Sequence, residues 1–313
     1  MIAIGVDLGG SNLRAAAFEG DNQIAHHREA VGHDREPQVI VERVASVIEK
    51  LAVDAEAPIA AGIGIAAMLC DREGTVANSP HLRWRDVPFG ALLRARLGDR
   101  FAVSIYNDVN AVTWGETMAG AARGHRDVLA VYVGTGIGGG LVCDGRLVEG
   151  ARNCAGEIGH VKVAWGDNAA PCMCGSRGCI EAYAGGSYVQ RRIERELSGK
   201  ARSRATFFAR AEPVNPSHVD QAAADGDDWA LELWTELASL LAIAIGNALA
   251  ITNPSCLVLG GGMLSRTPLL YELTVTALAV AAPAASLDHL VIEPAELGDD
   301  AGLVGAAKLA INR

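Results

Sequence analysis

Three cysteines fall within eight residues in Cys172-Met-Cys174-Gly-Ser-Arg-Gly-Cys179, and His160 lies twelve residues before the first of them. Three thiolates and one imidazole complete a tetrahedral Cys₃His set, the ligand chemistry of a structural zinc. Cys172 and Cys174 are too close for an unstrained mutual bridge, and the total of seven cysteines is odd. A disulfide framework therefore does not account for the loop. Cys70, Cys143, Cys154 and Cys256 lie in apolar stretches and read as packing residues. Glu181 follows the last thiol by two residues and Glu157 precedes the histidine by three, so folding around a metal would fix two carboxylates.

Two glycine loops offer a second chemistry. Asp7-Leu-Gly9-Gly10-Ser11-Asn12 and Gly134-Thr135-Gly136-Ile-Gly-Gly-Gly each follow a buried strand and lead into another strand. Neither fits a Rossmann or P-loop signature, which opens a helix. Without Cβ atoms, successive amides can turn toward one anion, a nest that suits phosphate oxygens, with Ser11 and Thr135 adding hydroxyls. Ordinary hairpins use the same residues. At a phosphate site the charge of Asp7 calls for a bound Mg²⁺; in an ordinary hairpin Asp7 is a cap. Asn107-Asp108 ends a further strand, where α/β proteins present side chains to a crevice. An Asp there could take the proton of an attacking hydroxyl, although the same pair also reads as a helix N-cap. Gly260-Gly261-Gly262 is a third loop, suited either to close passage of a flat base or to helix entry.

The elements that must position these groups show in the pattern. Strands are expected at 2–6, 13–19 and 23–30, then at 60–65 and 101–106. Ile40, Val41, Val44, Val47, Ile48 and Leu51 follow helical spacing. Short helices are expected at 89–97 and 109–122. A strand at 128–133, the second glycine loop, Leu141-Val142-Cys143 and an Asp144-Gly145 turn repeat the order of residues 2–30. A helix over 181–197 follows the cysteine loop, and residues 198–227 read as irregular chain plus a short helix. The remainder predicts a long helix over 228–251 ended by Asn253-Pro254, a strand at 256–259, a helix after Pro268, a strand at 289–293 and a helix over 301–311.

At 313 residues the chain exceeds the usual single core, so two domains are expected, 1–115 with 300–313 and 116–299. Half the residues are hydrophobic and the formal charge is −10, which disfavours a broad nucleic-acid or acidic-membrane footprint. The best membrane candidate, Leu237 to Ile251, is about 15 residues, carries Ser239 and Asn247, and reads as a buried helix. Met1 leads straight into Ile2-Ala-Ile-Gly-Val with no basic or long apolar leader, so a reducing cytoplasm is the expected compartment.

Together these motifs resemble the ROK family (repressor, open reading frame, kinase) of bacterial sugar kinases nearly end to end. Asp7-Leu-Gly-Gly-Ser is similar to its first phosphate motif and Gly134-Thr-Gly-Ile-Gly-Gly-Gly to its second; Leu259-Gly-Gly-Gly resembles its adenosine turn. Glu157-Ile-Gly-His160 resembles its sugar element, and the Cys172–Glu181 loop its zinc signature, the most specific match. The resemblance implies a duplicated actin-like ATPase (ribonuclease H-like) α/β fold, with ATP and sugar meeting in an interdomain cleft. It implies a structural Zn held by His160, Cys172, Cys174 and Cys179, Mg²⁺ with ATP, and a homodimer or homotetramer. ATP would meet Asp7, Gly9, Gly10, Ser11, Asn12, Gly134, Thr135, Gly136, Gly261 and Gly262. Asp108 would be the general base, and Asn107, Glu157, His160 and Glu181 would hold sugar hydroxyls, with His160 bonding zinc through one ring nitrogen and sugar through the other.

Departures bear on the substrate. Ser79-Pro80-His81 stands where family glucokinases often have Ser-Pro-Asn, with Asn78 close enough to substitute. Gly64-Ile-Ala66-Ala67 stands where many relatives have Pro-Gly, and Ser11-Asn12 replaces the commoner Thr-Lys. The expected activity is ATP-dependent phosphorylation of a hexose, glucose at O6 first, with an N-acetylhexosamine or fructose as alternative substrate. A non-catalytic sugar sensor or repressor is the different-class alternative; a repressor would need a DNA-binding segment ahead of the first strand, where one residue precedes Ile2.

Overall fold

The computed structural model describes residues 2–52, 58–198 and 213–311. Its strands are β1 (Ile2–Leu8), β2 (Asn12–Glu19), β3 (Asn22–Ala30), β4 (Ile59–Ile65), β5 (Met68–Leu69), β6 (Val76–Ser79), β7 (Trp84–Val87), β8 (Phe101–Asn107), β9 (Val128–Val133), β10 (Ile137–Cys143), β11 (Arg146–Leu147), β12 (Cys256–Gly260) and β13 (Val291–Pro294). The helices are α1 (Pro37–Leu51), α2 (Phe89–Leu97), α3 (Asp108–Ala119), α4 (Glu181–Ala184), α5 (Gly186–Leu197), α6 (Pro216–Ala224), α7 (Asp228–Thr252), α8 (Pro268–Ala281), α9 (Ala284–Leu287) and α10 (Ala301–Ile311).

Two five-stranded sheets have the orders β3-β2-β1-β4-β8 and β11-β10-β9-β12-β13. The two orders coincide once the strands are counted from each glycine loop. In both, the loop joins the central strand to its neighbour, and two later strands add in parallel on the other side. The duplication expected from the sequence is therefore real at the level of topology. The three-stranded sheet β5-β6-β7 has no counterpart in that expectation.

The chain divides into two compact units, 1–126 with 140–156 and 296–313, and 127–139 with 157–295. The expected division differs in placing 116–299 together; the structure groups 116–126, 140–156 and 296–299 with the first unit. In the first unit, α1 covers one sheet face with Ile40, Val44 and Ile48, all close to fully buried. The other face carries α10, whose backbone sits very close to glycines of β1 and β4. A Cβ added at Gly5 would lie 1.9 Å from the Leu303 carbonyl oxygen, and one at Gly62 1.9 Å from that of Ala306. The same helix meets α3, where a Cβ at Gly305 would lie 1.7 Å from the Ala111 oxygen.

In the second unit, α7 buries Leu233, Trp234, Leu237, Leu241, Ile245 and Leu249 in the core. At 25 residues this helix is long and apolar enough to cross a membrane by length and composition, yet that whole stripe is packed inside the unit. Asp227 caps its start by accepting from the Ala230 amide at 2.9 Å, and Asn253 ends it in the left-handed conformation at φ 41°. The helix expected over 181–197 is broken at Gly185, which is extended because the next two amides leave the helix ladder for the second glycine loop. Part of the segment expected to be irregular, 199–212, lies outside the described residues. Cys154, expected to be a packing residue, is exposed, with its Sγ near the Arg152 carbonyl.

Candidate functional site

In the first unit, β1 carries Asp7 to the edge of the first glycine loop, closed by a hydrogen bond from the Gly9 amide to the Asn12 carbonyl at 3.0 Å. The antiparallel register puts Arg14 directly opposite Asp7, and its guanidinium donates to the Asp7 carboxylate through Nε at 3.0 Å and through Nη2. Arg14 also reaches Asp299 at 2.9 Å. Burial pushes the Asp7 carboxyl up from its ordinary value, and the guanidinium pulls it back. The charge of Asp7 thus has a protein partner in Arg14. Past the loop, a Cβ on Gly10 would come within 2.7 Å of the His81 Cβ, so His81 lies against this turn.

Asn107 closes β8, and its Oδ1 accepts from the Val109 and Asn110 amides at 2.9 and 3.1 Å. Its Nδ2 donates to the Ala67 carbonyl at 3.1 Å. The N-cap reading therefore holds for Asn107, whose acceptor is committed to α3. Asp108 is the first residue of α3, where orphan amides and the helix dipole favour a negative charge. Ser79 Oγ donates to the neighbouring Ala66 carbonyl at 2.9 Å, which ties the end of β6 to the same turn. Asn78 is exposed and pairs with Met68 across β5 and β6. The first unit thus gathers Asn78, His81, Asn107 and Asp108 around residues 66–67 and the first glycine loop.

The second unit holds the other two glycine loops together. The Gly186 and Ser187 amides at the start of α5 donate to the Gly134 and Thr135 carbonyls, each at 2.9 Å. Met263 donates to the Val133 carbonyl at 2.9 Å. Gly261 sits at φ +93°, and a Cβ there would lie 2.5 Å from the Val133 oxygen, so this approach requires glycine. Between the loops is a cavity of about 500 Å³ lined in part by Gly134, Thr135, Ser187, Asn215, Gly262 and Arg266, a volume in the range of small-ligand sites. Sequence reasoning missed Ser187, Asn215 and Arg266. The Asn215-Pro216 cap of α6 was a visible signal for one of them; nothing in the sequence marks the others.

Beside this loop, Glu181 Oε2 accepts from the Ile137 amide at 2.9 Å, and a Cβ at Gly136 would lie 2.5 Å from that oxygen. Glu157 starts the 3₁₀ turn Ile158–His160, which packs so closely that a Cβ at Gly159 would lie 2.2 Å from the Ile137 oxygen. Burial pushes the Glu157 carboxyl up; His160 opposes that rise and Glu181 adds to it. Glu157, His160 and Glu181 thus converge on the second glycine loop through Ile137.

One donor atom from each of His160, Cys172, Cys174 and Cys179 lies within 4.8 Å of the other three. Cys174 Sγ and Cys179 Sγ are 3.7 Å apart, and Cys172 Sγ is 3.8 Å from His160 Nδ1. A tetrahedron with Zn–S bonds of about 2.3 Å has S···S edges of about 3.8 Å. The donors fit zinc in number, type and spacing. Burial pushes the Cys172 thiol up to about 12, so a bound cation is what would hold it as thiolate at neutral pH.

The sequence profile of the ROK family matches residues 3–313. A glucokinase of Thermotoga maritima is 33% identical over 316 residues, spanning 99% of this chain and 97% of its own. The solved ROK family glucokinase of Streptomyces griseus, in complex with glucose and AMPPNP, is 29% identical, covers 100% of both chains and superposes with a TM-score of 0.81. A xylose repressor of Caldicellulosiruptor bescii is also similar, 26% identical over 99% of this chain and 78% of its own. The fold is that of the ROK sugar kinases, the actin-like ATPase architecture that the resemblance implies.

Proposed function

Because the chain belongs to the ROK family, we propose that it is an ATP-dependent hexose kinase, with glucose phosphorylated at O6 as its principal reaction. The observation that carries this reading is the cavity shared by Gly134, Thr135 and Gly262. Two glycine loops far apart in sequence converge on one space whose volume suits a small ligand such as a nucleotide.

In the proposed reaction, Asp108 accepts the proton of the sugar's O6 hydroxyl as that oxygen bonds to the γ-phosphorus of ATP, and the β–γ bridging oxygen leaves with ADP. Mg²⁺ accompanying ATP supplies charge neutralisation on the transferring group. Backbone amides of the first and second glycine loops donate to phosphate oxygens, and the turn at Gly261 and Gly262 lets the adenosine pass close to backbone. Glu157, His160 and Glu181 accept from and donate to sugar hydroxyls, joined by Asn78, His81 and the remaining Asn107 donor. His160, Cys172, Cys174 and Cys179 would hold zinc with no open position, so the metal holds the loop and takes no part in the chemistry.

A coupled assay of ADP release with glucose, mannose, fructose, N-acetylglucosamine and N-acetylmannosamine tests the reading. Glucose should show the highest kcat/KM. Preference for an N-acetylated sugar would overturn the substrate while leaving the kinase; no ADP release with any member would overturn the kinase.

A further inference from the structure

We propose that Lys162 is the charge-balancing positioning residue of the cysteine cluster. This inference rests on the zinc reading above. The Lys162 ammonium has three N–H donors, and three acceptors surround it: Cys179 Sγ at 3.0 Å, the Arg177 carbonyl at 2.7 Å and Ser176 Oγ at 2.5 Å. All three belong to the cysteine loop. The geometry is set by backbone pairing, because Lys162 faces Cys179 in an antiparallel bridge. Hydrogen bonds from Val163 to Gly178 and from Ile180 to Val161, each 2.9 Å, flank that bridge.

The charge requires such a partner. Three thiolates, a neutral imidazole and Zn²⁺ sum to −1, and Cys179 is fully buried. A buried net charge is costly unless an opposite charge or hydrogen bonds meet it. Arg177, a second cation of the loop, donates instead to the Ala169 carbonyl at 2.8 Å. Lys162 therefore places a full positive charge on the most enclosed sulfur and ties two further atoms of the loop to it. Groups outside the coordination shell that act this way commonly change metal affinity by about 10- to 100-fold.

The test uses the full chain as wild type, Lys162→Met, Lys162→Gln and Lys162→Arg. Zinc per chain is measured by mass spectrometry of the metal, and its loss rate is measured with a chromophoric chelator. The wild type should carry one zinc per chain, and Lys162→Met should release it at least ~10-fold faster. Lys162→Gln, which keeps donors but no charge, should release it as fast as the Met variant, and Lys162→Arg should recover most of the retention. If Lys162→Met is insoluble, the Gln variant decides. A wild type without zinc overturns the metal reading and this proposal with it. A zinc-loaded wild type whose Met or Gln variants match its release rate overturns the role of Lys162 alone.

Discussion

Adjacent residues with similar side chains do different work at the end of β8. Asn107 spends its oxygen on two helix amides, whereas Asp108 stands at the first helical position. The sequence offers Asp108 as a base and the pair as a helix N-cap, and the hydrogen bonds assign the cap to Asn107. Asp7 and Arg14 show the reverse case, a pair that was readable once the hairpin register was known but invisible from spacing alone. Glu157 carries a testable consequence. Burial raises its folded value above the ordinary 4.5, so the stability it contributes is present below that value and is lost as pH rises through the folded one. Glu157→Gln removes an ionised, half-buried carboxylate. The variant should match or exceed the wild type in thermal midpoint at pH 7, with its advantage shrinking below the ordinary carboxylate range. A variant less stable than wild type at pH 7 and equal at pH 4 would contradict the burial argument.

Among the elements, α10 is seated through glycines, Gly5 of β1 and Gly62 of β4 facing it and its own Gly305 facing α3. Its close seating against β1, β4 and α3 is achieved by glycine and alanine at each crossing. The helix itself was legible from apolar spacing, but its contact distance was not, because glycine in a pattern does not say which backbone it meets. Gly305→Ala puts a methyl group 1.7 Å from the Ala111 oxygen, so α3 and α10 must move apart. Overpacking of this kind costs about 1–3 kcal/mol, readable as a lowered urea midpoint at unchanged slope. Since α3 begins with Asp108, kcat should fall with it while zinc content stays unchanged. An unaltered midpoint would show that the two helices separate freely. The β5-β6-β7 sheet marks the limit of pattern reading: its strands have two to four residues, too few for a period to register.

Across the whole molecule, duplication is the feature the sequence shows most directly, because strand, glycine loop, strand and turn recur in order. The unit boundary was less legible, since 140–156 returns to the first unit between two segments of the second. Hydrophobic pattern marks strands and helices but not which core receives them. The two repeats carry different parts of the proposed chemistry: the first has Asp108 and the loop at Gly9 and Gly10, the second the cavity at Gly134 and Gly262 and the Glu157–His160–Glu181 group. The central claim is that one reaction uses both, with Asp108 taking the hydroxyl proton. The most direct measurement is steady-state phosphoryl transfer from ATP to glucose by the wild type and by Asp108→Ala, alongside glucose binding by calorimetry. The variant should lose about 10²–10⁴-fold in kcat and still bind glucose. Near-full kcat in Asp108→Ala would contradict the account.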